Sequence, residues 1–305
     1  MHMTWITASL VVAALGIVNV IDSHLITRRM PSLRAYLLPA SIIHIIYGLI
    51  FLNLYPLPEG VPAFVWFIAA IAAVTRTIAV LLMLKAMCTE EISRVIPVAY
   101  IYPVFVAILA VPVLGETLNW LQWVAIFITV AGGVLISVRW RGQKGLAQLR
   151  QSFVLLFASS ILFGASNVAT KYALDYLSFW NMYSISDICY GTIFFLFAAR
   201  PSVFKELRDM AGRGTALKLM VLNETMTLGG YILSFWAMAN GPVSLASTVM
   251  GTRPCFVFLY TLLLSRVFKG ALLEEYLNKG IIAVKIISIG LIVGGVTIIN
   301  LVETP

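Results

Sequence analysis

The sequence predicts an all-α integral membrane protein, ten transmembrane helices arranged as two inverted five-helix repeats. Three observations carry that prediction: an apolar composition poor in charge, ten apolar segments joined by short links, and a self-similarity that restarts after the fifth segment. Of the 305 residues, 61% are hydrophobic and 11% charged, with a mean hydropathy of +0.96. Soluble domains carry about 25% charged residues, so an ordinary globular enzyme is excluded, as are a disordered chain, a fibrous repeat and a disulfide scaffold. A helix crossing the roughly 30 Å hydrocarbon core needs about 20 apolar residues. Ten crossings therefore use up the chain and leave no room for a soluble domain. The net charge of +8 reads as basic cytoplasmic loops rather than as a nucleic-acid footprint.

The ten segments can be justified in order from their flanks. The first, 4–27, ends in Asp22, His24, Arg28 and Arg29 rather than in a small-residue cleavage site, so it is expected to be a span and not a signal peptide. Arg28, Arg29 and Arg34 separate it from the second, 34–54, which is followed by a loop without Lys or Arg. The third and fourth, 62–86 and 92–113, meet at Cys88-Thr89-Glu90-Glu91, flanked by Lys85 and Arg94. The fifth, 119–138, leads to Arg139, Arg141, Lys144 and Arg150, and the sixth, 152–174, to another loop without basic residues. After the seventh, 178–199, come Arg200, Lys205, Arg208, Arg213 and Lys218. The eighth and ninth, 216–239 and 242–265, meet at Asn240-Gly241-Pro242, where Pro242 fits the first turn of a new helix. Arg266, Lys269 and Lys279 precede the tenth, 280–301. Seventeen of the 21 basic residues thus fall on one side and none in the loops opposite. The positive-inside rule then places both termini outside. The three cysteines, Cys88, Cys189 and Cys255, lie far apart in apolar runs without metal-ligand spacing and read as free thiols.

Self-comparison gives the repeat. Gly16-Ile17-Val18-Asn19-Val20 resembles Gly164-Ala165-Ser166-Asn167-Val168, and Tyr47-Gly48-Leu49-Ile50-Phe51 resembles Tyr190-Gly191-Thr192-Ile193-Phe194. Ala86-Met87 and Pro103-Val104-Phe105-Val106 align with Ala237-Met238 and Pro254-Cys255-Phe256-Val257, and Gly132-Gly133-Val134 with Gly294-Gly295-Val296. Five segments per repeat is odd, so the halves, 1–145 and 146–305, enter the membrane inverted, which is the plan of alternating-access carriers. With Tyr102-Pro103-Val104-Phe105-Val106-Ala107 leading to Leu114-Gly115-Glu116-Thr117-Leu118, the chain resembles the EamA-like drug/metabolite transporter superfamily over essentially its whole length. The resemblance implies a secondary transporter of small metabolites working through a cavity between the repeats. Two features depart from the family pattern: Arg266-Val267 stands where a second Gly-Glu would fall, and many members keep their termini inside.

Ionisable groups at membrane depth cost several kcal/mol unless paired or hydrated, so each is a functional candidate. At 1.5 Å per residue, Arg76 and Arg253 fall near the midplane, Glu224 in the inner half, and Asp187 and His44 well inside their segments. His44 and Asp187 are repeat equivalents, each three positions before its Tyr-Gly. Arg253 sits in Gly251-Thr252-Arg253-Pro254, where proline removes a backbone donor; Tyr102-Pro103 is the counterpart, beside Tyr100. Guanidinium groups bind carboxylate or phosphate bidentately, which favours a substrate with an anionic group. The expected substrate site is Arg76, Arg253, Tyr102, Asn19, Asn167 and His44, with Asp187 and Glu224 for proton coupling or charge pairing. Plainer readings stand beside these: an Arg76–Glu224 ion pair, His44 bonded to a neighbouring helix, Asn19 and Asn167 as interhelical glue, Asp22 and Lys285 snorkelling at the inner interface, and a Lys171–Asp175 surface bridge. Tyr231, Trp236 and Trp180 are candidates for the entrance.

These residues point to a secondary transporter of a small anionic or zwitterionic metabolite, such as an amino acid, organic acid or phosphorylated compound. A flippase gripping the phosphate of a lipid or lipid-linked sugar is the alternative. HExxH, Asp-rich diphosphate motifs, a Gly-x-Ser-x-Gly elbow and nucleotide-binding loops are all lacking, so neither catalysis nor ATP is expected. No cofactor or metal is expected. The expected partners are a small-molecule substrate and membrane lipids, not nucleic acid, with a homodimer as the alternative to a monomer. The expected location is a bacterial or archaeal inner membrane.

Overall fold

The computed structural model describes residues 4–90, 92–135, 146–267 and 279–303. Among them every regular element is helical, and each of the ten expected segments is a helix or a broken pair of helices. Six helical stretches are long and apolar enough to cross a bilayer, and a seventh counts if a bent pair is taken as one span. The helices 120–135 and 287–299 are apolar but shorter.

Segment one is α1 (Trp5–Ala14), α2 (Ile17–His24) and a π-turn over Leu25–Arg29. It opens with a capping box in which Thr4 and Thr7 exchange side-chain bonds to backbone N–H. The chain breaks at Leu15-Gly16. The Gly16 N–H bonds Ala13 O and the Val18 N–H bonds Leu15 O, which takes the helical donors away from the Val12 and Ala14 carbonyls. Arg253 Nη2 donates to Val12 O at 2.6 Å and Tyr260 Oη to Ala14 O at 2.8 Å. Two side chains of a distant helix therefore satisfy the carbonyls that the break frees, as buried backbone groups require.

Next come α3 (Leu33–Leu54), capped by Ser32, and α4 (Ala63–Met87). Segment four is α5 (Ile92–Ala99) and α6 (Tyr102–Leu114), with Pro103 in the first turn of α6. After α7 (Trp120–Leu135) and α8 (Leu146–Leu174), α9 (Phe179–Ala198) turns by 92° into α10 (Pro201–Asp209). The basic loop expected there is thus a surface helix, with Val203 turned inward and Lys205 and Arg208 outward. Then follow α11 (Arg213–Asn240), α12 (Val243–Met250), α13 (Arg253–Val267) and α14 (Lys279–Glu303). The basic residues within 136–145 and 268–278, and the side chain of Lys285, lie outside the described residues.

The packing is that of a protein solvated by lipid. On α3, Leu49 is 52% exposed beside exposed Ile42, Ile46 and Ile50, whereas His44 is 2% exposed. Large apolar residues face out, and histidine, carboxylates and asparagines face in. Lipid tails give helices no hydrophobic reason to associate, so close packing and interhelical hydrogen bonds hold the bundle. Helix α4 packs on α8, stitched by Ser159 to Ala79 O and Ser166 to Ala72 O at 2.7 and 2.8 Å. Helix α3 packs on α9 and α7 on α14. These last two contacts are reciprocal: Gly48 meets Ile188 and Ser184 of α9, while Gly191 meets Ile45 and Ser41 of α3. Gly132 likewise meets Ser288 and Ile292 of α14, while Gly295 meets Thr129 and Ala125 of α7.

Helix α6 stops at Gly115, whose φ of 68° is a left-handed cap. The turn delivers Glu116 to the start of α12, where its carboxylate accepts from the Val243 and Ser244 N–H groups and from Ser244 Oγ. It is a cap supplied from another helix, and it complements the positive end of the α12 dipole. Glu116→Ala is expected to cost about 0.5–2 kcal/mol, visible as a lower melting temperature of the detergent-purified protein. An unchanged melting temperature would remove the carboxylate from this role.

Candidate functional site

The helix breaks in segments one, four and nine meet at one cavity. Its wall includes Leu15 and Asn19 at the first break, Tyr100 and Tyr102 at the second, and Met250 and Arg253 at the third. Unbroken helices add Arg76 from α4, Asn167 from α8 and Glu224 and Tyr231 from α11. The space open to the centres of water-sized molecules is about 90 Å3. At 10–15 Å3 per water, that holds roughly six to nine waters or one compact metabolite. Leu15, Val80, Phe163 and Met226 supply apolar wall between the polar groups.

Both guanidinium groups are held the same way. Arg76 Nη1 donates to Asn167 Oδ1 at 3.3 Å, and Arg253 Nη1 to Asn19 Oδ1 at 3.2 Å. The two asparagines are the repeat equivalents found in the sequence. Asn167 also donates to Ser247 Oγ at 3.2 Å. The arginines lie against aromatic faces, Arg76 at 4.7 Å from Tyr231 and 5.4 Å from Phe235, and Arg253 at 5.3 Å from Tyr100. Such contacts favour a cation but are worth only about 0.5–2 kcal/mol. Among the described residues neither arginine has a carboxylate within salt-bridge distance, and both Nε groups are buried without a partner. An unpaired buried donor costs about 1–3 kcal/mol, more when charged. The two cations are thus incompletely satisfied and line the same small space.

The carboxylates are arranged differently. Glu224 pairs with His44, Nε2 to Oε2 at 3.2 Å, not with Arg76. His44 Nδ1 meets Asp187 Oδ1 at 2.8 Å, so the repeat equivalents of segments two and seven touch. Tyr183 Oη donates to Asp187 Oδ2 at 2.8 Å. Asp22, expected to snorkel at the inner interface, is instead buried on the cavity wall, accepting from Tyr36 Oη at 2.7 Å and Asn223 Nδ2 at 2.6 Å. Tyr36 also reaches Glu224 Oε1 at 3.2 Å. A small void of about 10 Å3, room for one water, lies beside the cavity between Arg76, Tyr190, Tyr231 and Asp187.

Of the residues expected at the site, Arg76, Arg253, Tyr102, Asn19, Asn167 and Glu224 line the cavity together. His44 and Asp187 sit behind its wall, in the α3–α9 interface. Of the aromatic entrance candidates, Tyr231 lines the cavity, while Trp180 stacks on Tyr55 at 4.6 Å, away from it. Lys171 donates to Ala239 O at 3.4 Å, tying α8 to α11. Among the described residues no group of three or more His, Cys, Asp or Glu is arranged to hold a metal ion. Tyr36, Asn223 and Tyr183 lie outside the expected set of site residues. Asn223 stands next to Glu224 and was open to selection, but tyrosines near span ends are the membrane norm and carry no signal of their own.

Residues 3–138 match the EamA-like transporter family. A solved crystal structure, described only as that of a protein, superposes with a TM-score of 0.66 at 15% identity, covering 98% of this chain and 96% of the other. At that identity the likeness concerns the fold alone. The comparison with curated proteins gave no match.

Proposed function

We propose, from the match of residues 3–138 to the EamA-like transporter family, that the chain is a drug/metabolite-type transporter, a secondary carrier of a small zwitterionic or anionic metabolite. The family's proteins are membrane transporters, and the many lipid-facing apolar helices make this chain a multi-pass membrane protein. The observation that carries the substrate class is the pair of buried arginines, each with an unpartnered Nε, on one cavity. A carboxylate or phosphate in the cavity supplies the counter-charge that neither guanidinium has among the described residues. Asp22 and Glu224 line the same cavity, so a molecule that also bears an ammonium group fits best. A purely cationic compound meets two uncompensated guanidinium charges and is disfavoured.

In this reading the chain crosses the membrane ten times as two inverted repeats, 1–145 and 146–305, with both termini outside. The reciprocal glycine contacts of α3 with α9 and α7 with α14, and the equivalent placement of Asn19 and Asn167 on the cavity wall, support that symmetry. Arg76, Arg253, Asn19, Asn167 and Tyr102 hold the substrate, and the cavity is exposed alternately to the two sides as one repeat moves against the other. At the end of the bundle read as outer, the Glu116 cap on α12 and the packing of Trp5 where a Cβ on Gly241 would sit tie the helices together.

Counterflow in proteoliposomes tests this. Purified protein loaded with unlabelled compound should accumulate the labelled form of at least one member of a panel of the twenty amino acids, small carboxylic acids and sugar phosphates. Uptake no faster than in protein-free liposomes across the whole panel would overturn the reading.

A further inference from the structure

From the cavity wall a run of titratable side chains leads into the α3–α9 interface. It passes Asp22, Tyr36, Glu224, His44, Asp187 and Tyr183, with successive contacts of 2.7, 3.2, 3.2, 2.8 and 2.8 Å. All six side chains are buried. The first three line the cavity and the last three do not, so the run connects the substrate space to the α3–α9 interface.

Counting protons shows what the run holds. Its five contacts need five protons if each is a hydrogen bond. The hydroxyls of Tyr36 and Tyr183 supply one each and a neutral imidazole supplies one, which leaves two for the acids and the histidine. One of these is fixed by geometry. His44 has a carboxylate oxygen on each ring nitrogen. Whether it is an imidazolium between two carboxylates or a neutral ring beside one carboxylic acid, the trio carries one proton beyond a neutral ring and two ionised acids. The other belongs to the Tyr36 link, where a single hydroxyl stands between Asp22 and Glu224. Without that proton two buried carboxylates share one hydroxyl hydrogen, a costly arrangement at membrane depth. A substrate ammonium placed on the two carboxylates does the same electrostatic work.

We propose that Asp22, Tyr36, Glu224, His44 and Asp187 form a proton-binding site that gives up one proton when the ammonium group of a cavity-bound zwitterion reaches Asp22 and Glu224, making the protein a substrate/proton antiporter. This rests on the transporter reading above. The O–H bond of the carboxylic acid on Asp22 or Glu224 breaks, the proton leaves through the cavity, and the carboxylate accepts N–H bonds from the ammonium, so the net charge of the pair together with its ligand is conserved. His44 retains the second proton and keeps Glu224 and Asp187 apart in charge. Among the described residues, the other charged or titratable groups facing the run include Tyr47 of α3, Arg76 of α4, Tyr190 of α9, Tyr231 of α11 and Arg253 of α13. Tyr190 stacks edge-on against His44 at 4.4 Å, and the charge of Arg253 acts on Asp22.

The test uses proteoliposomes with a pH-sensitive dye in the lumen and an equimolar mixture of the twenty L-amino acids added outside, with labelled counterflow of the same mixture in parallel. The lumen should become alkaline as amino acid enters. Tyr36→Phe and His44→Gln each remove a hydrogen bond to the carboxylates that hold the proton and should slow that change about tenfold relative to counterflow, the equilibrium effect of losing one hydrogen bond to a charged group. Counterflow with constant lumenal pH in the wild type would overturn the antiport and leave the transporter standing. Absence of counterflow would overturn the transporter reading and the antiport with it. Unchanged alkalinisation in both folded variants would overturn the assignment to these residues. If His44→Gln does not fold, Tyr36→Phe, which removes one oxygen, carries the test.

Discussion

Alanine at Arg76 or at Arg253 is expected to abolish transport, but with different consequences for the fold. Truncating one partner of a buried, hydrogen-bonded charge pair costs about 2–5 kcal/mol, which at 1.4 kcal/mol per tenfold is a loss of roughly thirtyfold to several thousandfold in counterflow. Arg76 donates to Asn167 and lies against the rings of Tyr231 and Phe235, and Asn167 keeps Ser247 when Arg76 is removed. Arg76→Ala should therefore stay folded and silent. Arg253 also satisfies the Val12 carbonyl at the break in segment one. Arg253→Ala leaves that carbonyl buried and unpaired, an added cost of about 1–3 kcal/mol, and should melt at a lower temperature than Arg76→Ala. Lysine keeps the charge at either position but not the fork that grips a carboxylate on two oxygens, so both lysine variants should transport poorly too. Wild-type counterflow in both alanine variants would remove the arginines from the site.

The difference between these two arginines marks how far a sequence carries the argument. Their depth, and the rule that charge in a membrane needs a reason, identify both without a structure. The Pro254 break is legible because proline cannot donate to a helix. The break at Leu15-Gly16 has no such residue; it exists because Arg253 and Tyr260 are there to take the freed carbonyls, and that depends on tertiary contact. Asp22 shows the same limit. Counted from the nearest basic residues it lies near the interface, yet Tyr36 from the next helix and Asn223 from a helix far away in sequence hold it on the cavity. His44 and Asp187 were legible as equivalents, because each stands at the same distance from a Tyr-Gly pair. That they touch follows only once α3 and α9 pack face to face.

That contact rests on glycine, and a single methyl group should break it. A Cβ on Gly191 would lie 2.7 Å from Ser41 O, 2.7 Å from Ile45 Cγ1 and 3.0 Å from Ile45 N. Two of those three atoms are backbone, so α3 as a whole must retreat rather than a side chain turn aside. Within a helix, glycine to alanine is ordinarily worth about 0.5–1 kcal/mol in favour of alanine. Overpacking costs about 1–3 kcal/mol and wins here, so Gly191→Ala should lower the melting temperature. Gly290→Ala on α14 is the control, since its Cβ would meet nothing within 4 Å, and it should leave the melting temperature unchanged or raise it. Gly191 stands one turn beyond Asp187 on the same helix, so separating α9 from α3 also draws Asp187 away from His44. Gly191→Ala should then lose lumenal alkalinisation to a greater extent than counterflow. Equal melting temperatures for the two glycine variants would mean that α3 and α9 do not approach this closely. Equal losses of alkalinisation and counterflow would mean that the interface supports the whole cycle rather than its proton step.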